Sequence, residues 1–276
     1  MSSAERRQGS SPVEASERTS PTRYRATVEY DGTDFAGFQV NPGKRTVQGV
    51  LQDSLARLGD GVVRRVDGAG RTDAGVHAMG QVIAFTYRGR LPATELAAAL
   101  EAILPRDVAI RDVRPVPDGF NPRYAARYRE YRYTVWNGPP SPLRERTALG
   151  LRDPLDTAAM ARAAPAFIGR HDFRAFGAAD RSTVRTVTAV RIRRSGRYVT
   201  IDVRADSFLR GQVRRMVGLL LEIGLGKTEI DSVRSALADP GSGQKGPAAP
   251  AKGLCLRRVA IGRGNTARTN GEHEER

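Results

Sequence analysis

The chain has 276 residues, 39% hydrophobic and 27% charged, which is ordinary for a globular protein with room for one large or two modest domains. No apolar run reaches the ~18 residues that a bilayer span needs, and the polar N-terminus lacks the apolar core of a secretory signal, so we expect a cytoplasmic protein without a membrane segment. The lone Cys255 excludes an internal disulfide, and with only three His we expect no metal site.

The formal net charge of +15 lies in the body of the chain rather than at its ends. Residues 1–22 and 263–276 each carry three Arg and three Glu, whereas residues 181–215 carry ten Arg against two Asp. Arginine suits phosphate because its planar guanidinium donates two parallel hydrogen bonds. The charge therefore favours a nucleic-acid partner, with an acidic membrane surface or a genome-wide bias toward Arg as the alternatives.

The first half of the chain predicts alternating strands and helices after a polar, disordered tail over residues 1–22. The alternating string RYRATVEY predicts a strand over 23–30, and helical spacing of apolar residues predicts a helix over 46–58 with Thr46 as its N-cap. The other predicted elements of this half are a strand over 62–66, a Gly-rich loop over 68–80, a strand over 81–87, a helix over 93–103 and a strand over 108–113.

A Pro-rich stretch over 115–122 predicts the boundary between two domains, 23–116 and 117–262, and we expect a second disordered tail over 263–276. The elements predicted for the second half are strands over 128–136, 184–193, 198–205 and 254–261 and helices over 155–168 and 207–223. Because strands outnumber helices and cluster in pairs, the pattern favours an α+β fold with antiparallel sheet over a doubly wound parallel one.

The string GRTDAGVHA over residues 70–78 is the most specific motif of the chain. Gly70 and Gly75 permit backbone conformations that let a ligand approach closely, and between them lie an arginine, a threonine and Asp73. These residue types are consistent with a catalytic carboxylate at Asp73. An aspartate that only caps a turn is the alternative, and the residues by themselves leave both open.

The string GRTDAGVHA resembles the signature of the tRNA pseudouridine synthase A (TruA) family, in which the aspartate is the catalytic residue. Further strings agree with that family in chain order from about Arg23 to Ile261. These are EYDG at 29–32 with GFQ at 37–39, TVQ at 46–48, Phe120 with Arg123, YRY at 131–133, HDF at 171–173 with Phe176, RTV at 185–187, FL at 208–209, VR at 213–214, VG at 217–218 and GL at 253–254.

The resemblance implies two similar α/β subdomains that share one central, mainly antiparallel sheet, with the active site in a basic cleft. It also implies an isomerase that converts uridine to pseudouridine at positions 38 to 40 of the tRNA anticodon stem-loop, acting as a homodimer. No cofactor is expected, because the reaction breaks the N1–C1′ bond and joins C5 to C1′ without a redox step or a transferred group.

Three residues take catalytic roles by the same resemblance. Asp73 matches the aspartate that attacks the uridine, at C1′ or at C6. Tyr131 matches the active-site tyrosine that stacks on the flipped base, and Arg214 matches the arginine that pairs with the aspartate and orients it. Considered alone, Tyr131 could equally pack within a strand, and Arg214 could lie on a solvated helix face.

Five further arginines are the candidate RNA-binding residues, and Arg71 among them is expected to hold the phosphate beside the target base. The candidates are Arg71, Arg123, Arg127, Arg129 and Arg210. Three positions depart from the family pattern: Phe38 replaces a usual Trp, Arg210-Gly211-Gln212 replaces a frequent His-His-Met, and Cys255 replaces a frequent Tyr.

Three other functions stay open at this point. One is a tRNA-binding protein without activity, and another is a pseudouridine synthase with a different RNA target. The third is a nucleotide-hydrolysing enzyme built on Gly226-Lys227-Thr228. This hypothesis is weak, because a P-loop needs glycine where the chain has Leu221. For His77 we expect structural hydrogen bonding rather than acid–base chemistry.

Overall fold

Residues 20–178, 180–241 and 246–262 are described by a computed structural model. The two tails were predicted over residues 1–22 and 263–276. Of these residues, 1–19 and 263–276 lie outside the described part of the chain. The strands are β1 Thr22–Tyr30, β2 Asp67–Gly68, β3 His77–Tyr87, β4 Val108–Pro115, β5 Ala126–Asn137, β6 Leu149–Leu151, β7 Gly169–Asp172, β8 Val184–Ser195, β9 Tyr198–Ala205 and β10 Leu254–Ile261. The α-helices are α1 Val47–Leu58, α2 Ala93–Ile103, α3 Pro122–Ala125, α4 Thr157–Ala163, α5 Gln212–Gly224 and α6 Ser232–Ala238.

The strands of the described residues form one ten-stranded sheet in the order β4-β1-β3-β10-β5-β9-β8-β7, with β2 beside β3 and β6 beside β5. Two pairs are parallel, β3 with β10 and β5 with β6, and the others are antiparallel. The prediction of an α+β fold with a shared, mainly antiparallel central sheet is confirmed. The division into domains 23–116 and 117–262 stays a prediction, although the sheet order keeps the strands of each range together.

Side chains alternate along a strand, so β1 and β5 bury one face against the core, whereas β3 is buried on both faces over residues 81–85. On β1 the buried positions are every second residue from Tyr24 to Tyr30, and on β9 they include Val199, Ile201 and Val203. The helices add fully buried residues to the same core, namely Leu51, Leu96, Leu100, Met160 and Leu220. No helix in the described part of the chain is long and apolar enough to cross a membrane.

Local sequence signals placed three elements correctly. Helix α1 begins after Thr46, whose side chain accepts a hydrogen bond from the Gly49 N–H at 3.3 Å, as the N-cap prediction requires. Helix α2 and strand β10 have the predicted bounds, 93–103 and 254–261. Periodicity and capping are properties of contiguous residues, so these elements were accessible from the sequence.

The predicted strand over 62–66 is wrong. Val62 and Val63 are exposed, and pairing with β3 begins only at Asp67. β-Branched residues favour a strand only where a neighbouring strand is available, and none lies beside this valine pair in the described structure.

Two predicted helices differ from the structure in their bounds. The helix expected over 207–223 begins at Gln212, because Gly211 before it adopts a left-handed φ of 75°. The helix expected over 155–168 is α4 followed by a 3-10 turn at Ala164–Phe167, which contains Pro165. Arg210 therefore lies in a loop and not on the helix.

The elements β2, β6, β7, α3 and α6 were not predicted.

An ion-pair cluster joins the loop after β1 to a turn of the second half. Arg146 donates from Nε to Asp31 Oδ2 and from Nη2 to Asp34 Oδ2, each at 2.9 Å. Burial of Asp31 opposes its ionisation, but hydrogen bonds from Thr33 and Arg146 outweigh burial and lower the pKa of Asp31 to about 2.

The lowered pKa of Asp31 predicts a defined loss of stability in acid. A carboxyl whose pKa is depressed on folding stabilises the folded state above its unfolded pKa, near 3.8, and this contribution disappears as the pH falls through about 2. We expect Asp31→Asn to lower the melting temperature at pH 7 and to converge with the wild type between about pH 4 and pH 2. The more exposed Asp34→Asn is the matched control, with a smaller effect at pH 7. Parallel wild-type and Asp31→Asn curves over this pH range would contradict the assignment.

Candidate active site

The loop that carries Asp73 connects β2 to β3 and is bound to the segment after β1. The Phe38 N–H donates to the Thr72 carbonyl at 3.1 Å, and the Thr72 hydroxyl lies 2.8 Å from the buried Tyr30 hydroxyl. Gly37 adopts a φ of 99°, and a Cβ there would lie 3.0 Å from the Thr72 carbonyl oxygen. Only glycine allows this approach, so the loop is held against a rigid surface.

The end of the same loop is fixed by His77. Its Nδ1 lies 3.0 Å from the Gly32 N–H, which donates to it, and 3.1 Å from Asp31 Oδ1, while its Nε2 lies 3.1 Å from the Lys252 carbonyl oxygen. His77 is buried and both nitrogens contact the main chain. The prediction of structural hydrogen bonding at His77 is confirmed.

The Asp73 carboxylate lies between two arginines of the second half. Its Oδ2 is 3.8 Å from Arg214 Nη1, and its Oδ1 is 3.8 Å from Arg210 Nε. The side chains of Asp73 and Arg214 are 27% and 24% exposed, whereas that of Arg210 is 85% exposed. The carboxylate is therefore accessible to a ligand, and Arg214 is the more protected of its two arginine neighbours.

Arg214 is positioned by the chain segment that precedes β10. It lies in the first turn of α5, and its Nε donates to the Ala249 carbonyl at 2.7 Å while its own carbonyl accepts the Ala249 N–H at 2.9 Å. One turn further along α5, a Cβ on Gly218 would overlap the Pro247 carbonyl oxygen. The lack of a side chain at Gly218 lets this segment cross the helix and reach Arg214.

Tyr131 lies in the middle of β5 with its side chain 8% exposed. Its ring packs edge-to-face on Phe208, with centroids 5.3 Å apart and an interplanar angle of 86°. Burial raises the pKa of Tyr131, the positive charge of Arg129 opposes that rise, and the negative charge of Asp73 adds to it. The phenol is therefore neutral at physiological pH and close enough to Asp73 to interact with it.

Sequence reasoning missed two residues of this site, Phe208 and Tyr30. Phe208 was read only as part of a family string, although an aromatic residue six positions before Arg214 in a basic segment was a usable signal. Tyr30 belonged to a strand pattern, and its contact with Thr72 joins residues 42 positions apart. Neither contact follows from local periodicity.

The structure separates the five candidate RNA-binding arginines into two groups. Arg71, Arg123, Arg127 and Arg210 are exposed. Arg129 is only 8% exposed, and its guanidinium binds main-chain carbonyls. A direct RNA contact by Arg129 is therefore corrected to an internal role, because its donors already have partners inside the protein.

The family model described as tRNA pseudouridine synthase matches residues 26–125 and 163–260, ranges that contain Asp73 and Arg214 and leave Tyr131 between them. The chain belongs to the tRNA pseudouridine synthase family. It is an isomerase that converts uridine to pseudouridine in tRNA.

Three relatives of the synthase, each called tRNA pseudouridine synthase A, show the extent of the similarity. The protein of Geobacter sulfurreducens is 43% identical over 236 residues, which cover 84% of this chain and 96% of that one. The protein of Moorella thermoacetica is 44% identical over 239 residues, covering 84% and 97%. The protein of Halalkalibacterium halodurans is 40% identical over 251 residues, covering 90% and 93%.

Among solved structures, the crystal structure of the archaeal box H/ACA sRNP Nop10-Cbf5 complex is similar at a TM-score of 0.29 and 15% identity. The similarity covers 86% of this chain and 48% of that one. A score this low says little about the details of the synthase fold.

The three departures from the family pattern have different surroundings in the structure of the synthase. Phe38 is buried beneath β2, where a Cβ on Gly68 would lie 2.6 Å from its ring, so this position is one of packing. Cys255 lies on β10 between His77 and Arg132, and burial raises the pKa of its thiol to about 11. Arg210, by contrast, lies directly beside Asp73.

The Gly226-Lys227-Thr228 segment ends a helix in the synthase. The Gly226 N–H donates to the Ile223 carbonyl at 3.0 Å and the Lys227 N–H to the Glu222 carbonyl at 2.9 Å. These N–H groups close the C-terminus of α5 and do not form the free cradle that a phosphate needs. Among the described residues, no group of three or more His, Cys, Asp or Glu side chains is arranged to hold a metal ion.

The close approach at Gly218 yields a prediction about Arg214. Replacing a helical glycine by alanine ordinarily stabilises a helix by about 1 kcal/mol. We expect Gly218→Ala to lower the melting temperature instead, and to slow pseudouridine formation by about tenfold or more, because the displaced 247–249 segment no longer holds Arg214. Gly150→Ala, where a Cβ would meet no atom within 4 Å, is the control. A stabilised and fully active Gly218→Ala protein would show that the segment does not position Arg214.

Proposed function

We propose that this synthase modifies uridines 38, 39 and 40 of the tRNA anticodon stem-loop, with Asp73 as the catalytic nucleophile, and without a cofactor. The observation that carries the catalytic proposal is the Asp73 carboxylate, accessible from solvent, 3.8 Å from Arg214 and next to the neutral phenol of Tyr131. The target positions rest on the family resemblance of the 70–78 motif and the strings around it.

Asp73 begins the reaction by displacing N1 at C1′ or by adding to C6 of the target uridine. Either route needs a carboxylate held in place, and its two oxygens lie 3.8 Å from guanidinium nitrogens of Arg210 and Arg214. In the first route the carboxylate takes the place of N1 on C1′, the freed base turns, and C5 displaces the carboxylate from C1′. In the second route the N1–C1′ bond breaks after the carboxylate has added to C6, the base turns, C5 joins C1′, and the carboxylate leaves C6. In both routes C5 finally gives up its proton and N1 gains one, so the net change is an isomerisation. Arg214 holds the carboxylate in place during these steps.

Tyr131 stacks against the target base after that base has left the helical stack of the RNA. Its ring is fixed from the side by Phe208, so the platform is preformed. The neutral hydroxyl of Tyr131 also supplies a proton donor beside Asp73.

RNA binding depends on the exposed arginines around the Asp73 loop. Arg71 contacts the phosphate beside the target, and Arg123, Arg127 and Arg210 contact neighbouring backbone phosphates. Each phosphate contact displaces counterions, so binding weakens steeply as salt rises. We further propose that the enzyme acts in the cytoplasm as a homodimer whose subunits both touch one tRNA, and that each subunit has the domains 23–116 and 117–262.

The catalytic proposal predicts that Asp73→Asn abolishes turnover while it preserves binding. The substitution removes charge and nucleophilicity but keeps shape, so we expect the rate to fall by on the order of 10⁴-fold and the Kd for tRNA to change by no more than about threefold. Pseudouridine is mapped on an unmodified tRNA transcript by carbodiimide adducts and primer extension, with Asp34→Asn as the control.

Each outcome of this mapping is informative. Stops at 38 to 40 with wild type and Asp34→Asn only would support reaction, target and nucleophile together. Stops elsewhere would overturn the target and keep the chemistry, whereas normal turnover by Asp73→Asn would overturn the nucleophile. Salt-sensitive binding without stops on several RNAs would favour a binding protein without activity.

The homodimer proposal predicts a particle of twice the chain mass of 30.0 kDa. Size-exclusion chromatography with light scattering measures this mass directly, and the presence of tRNA is not required. Elution at the monomer mass over the micromolar range would refute the proposal.

A further inference from the structure

Arg129 binds three separate segments of the protein through one buried side chain. Its Nε and Nη2 donate to the Ala69 carbonyl at 3.2 and 2.5 Å, and its Nη1 donates to the Asp206 carbonyl at 2.6 Å. Its Nη2 also donates to the Arg123 carbonyl at 2.9 Å. The four hydrogen bonds fix the guanidinium in the sheet core.

The charge of Arg129 is balanced in an unusual way. The side chain is 8% exposed, yet no carboxylate lies within ion-pair distance of it among the described residues. Burial lowers the pKa of this guanidinium, as expected for a charge taken out of water. The negative charge of Asp206 opposes this effect, and hydrogen bonds to carbonyls supply the nearest partners. An apolar residue in place of Arg129 would leave the Ala69 and Asp206 carbonyls without these donors.

Two of the three bound carbonyls, those of Ala69 and Asp206, belong to segments that carry the proposed catalytic residues. Ala69 directly precedes the loop with Asp73, and Asp206 begins the connection that leads through Phe208 and Arg210 to Arg214. Arg129 itself lies two residues before Tyr131 on the same face of β5. Arg129 therefore lies on the strand that supplies Tyr131, and its guanidinium binds the chain just before the Asp73 loop and the start of the connection to Arg214.

We propose that Arg129 is a positioning residue, which sets the separation of Asp73 from Arg214 and Tyr131 by holding the Ala69 and Asp206 carbonyls together. This inference rests on the proposed catalytic role of Asp73. Arg129 acts through the residues it holds and makes no contact with RNA. A lysine cannot replace it fully, because a single ammonium lacks the planar set of donors that binds three carbonyls at once.

The experiment compares Arg129→Lys and Arg129→Met with the wild type. The measured quantities are the single-turnover rate at saturating tRNA, the Kd for tRNA between 50 and 200 mM salt, and the melting temperature. Tritium release from tRNA labelled at C5 of uridine reports the rate whichever position is modified. Arg23→Met is the control, since Arg23 also binds one carbonyl, that of Phe120, through two nitrogens. Its other side-chain partners are Thr86 of β3 and Asp67 of β2, and none of these partners lies within residues 69–76 or 206–214.

We expect Arg129→Met to lower the single-turnover rate by about 100-fold, because small displacements of catalytic groups have effects of that size. The Kd should change by less than about threefold, and the salt dependence of binding should stay that of the wild type. Arg129→Lys should recover part of the rate, and it also serves if the Met variant does not fold. Arg23→Met should lose stability with a rate close to the wild type.

Two results would overturn the inference. A weaker Kd with a salt slope reduced by about one would show that Arg129 contacts a phosphate after all. A lower melting temperature with an unchanged rate per folded molecule, in both Arg129 variants, would show a purely structural role. Asp73→Asn, measured alongside, separates this proposal from the catalytic one: if that variant is active, the nucleophile assignment fails whatever Arg129 does.

Discussion

The insertion of the last strand between the two halves is the constraint on which the active site depends. Leu256 of β10 pairs with Ala78 of β3 on one side and with Tyr131 of β5 on the other. Neighbouring strands lie about 4.8 Å apart, so the strand that follows the Asp73 loop and the strand that carries Tyr131 are held about 10 Å apart. A site composed from residues far apart in the chain is thereby formed by backbone pairing before any side chain contributes.

Polar contacts then fix the catalytic loop from both halves. The first half holds it through the Tyr30–Thr72 hydrogen bond and the main chain of residues 35–38. The second half holds it through Arg129, and the carboxylate itself faces Arg214. Buried polar groups of this kind are stable only when their partners are in place, so the geometry of the loop depends on the assembly of the whole sheet.

Much of the site was predictable because its chemistry is concentrated in one string. The N-cap at Thr46 and the alternation of β1 are local features, and the structure confirms both. The loop predicted over 68–80 is correct only up to Val76, because β3 begins at His77. The strand expected at 62–66 failed because valine favours a strand only beside a partner. The start of α5 failed because the left-handed backbone at Gly211 interrupts an otherwise helical pattern.

The sequence by itself determined the α+β character of the chain, the resemblance to tRNA pseudouridine synthases and the residue types available for catalysis. These follow from contiguous patterns, which neighbouring residues specify without reference to the rest of the molecule. Only the tertiary structure decided that Arg129 is buried while Arg210 faces Asp73, and that Phe208 packs on Tyr131. The sequence does not distinguish an arginine that binds a phosphate from one that binds a main-chain carbonyl. Only long-range strand pairing decides which of these partners an arginine can reach.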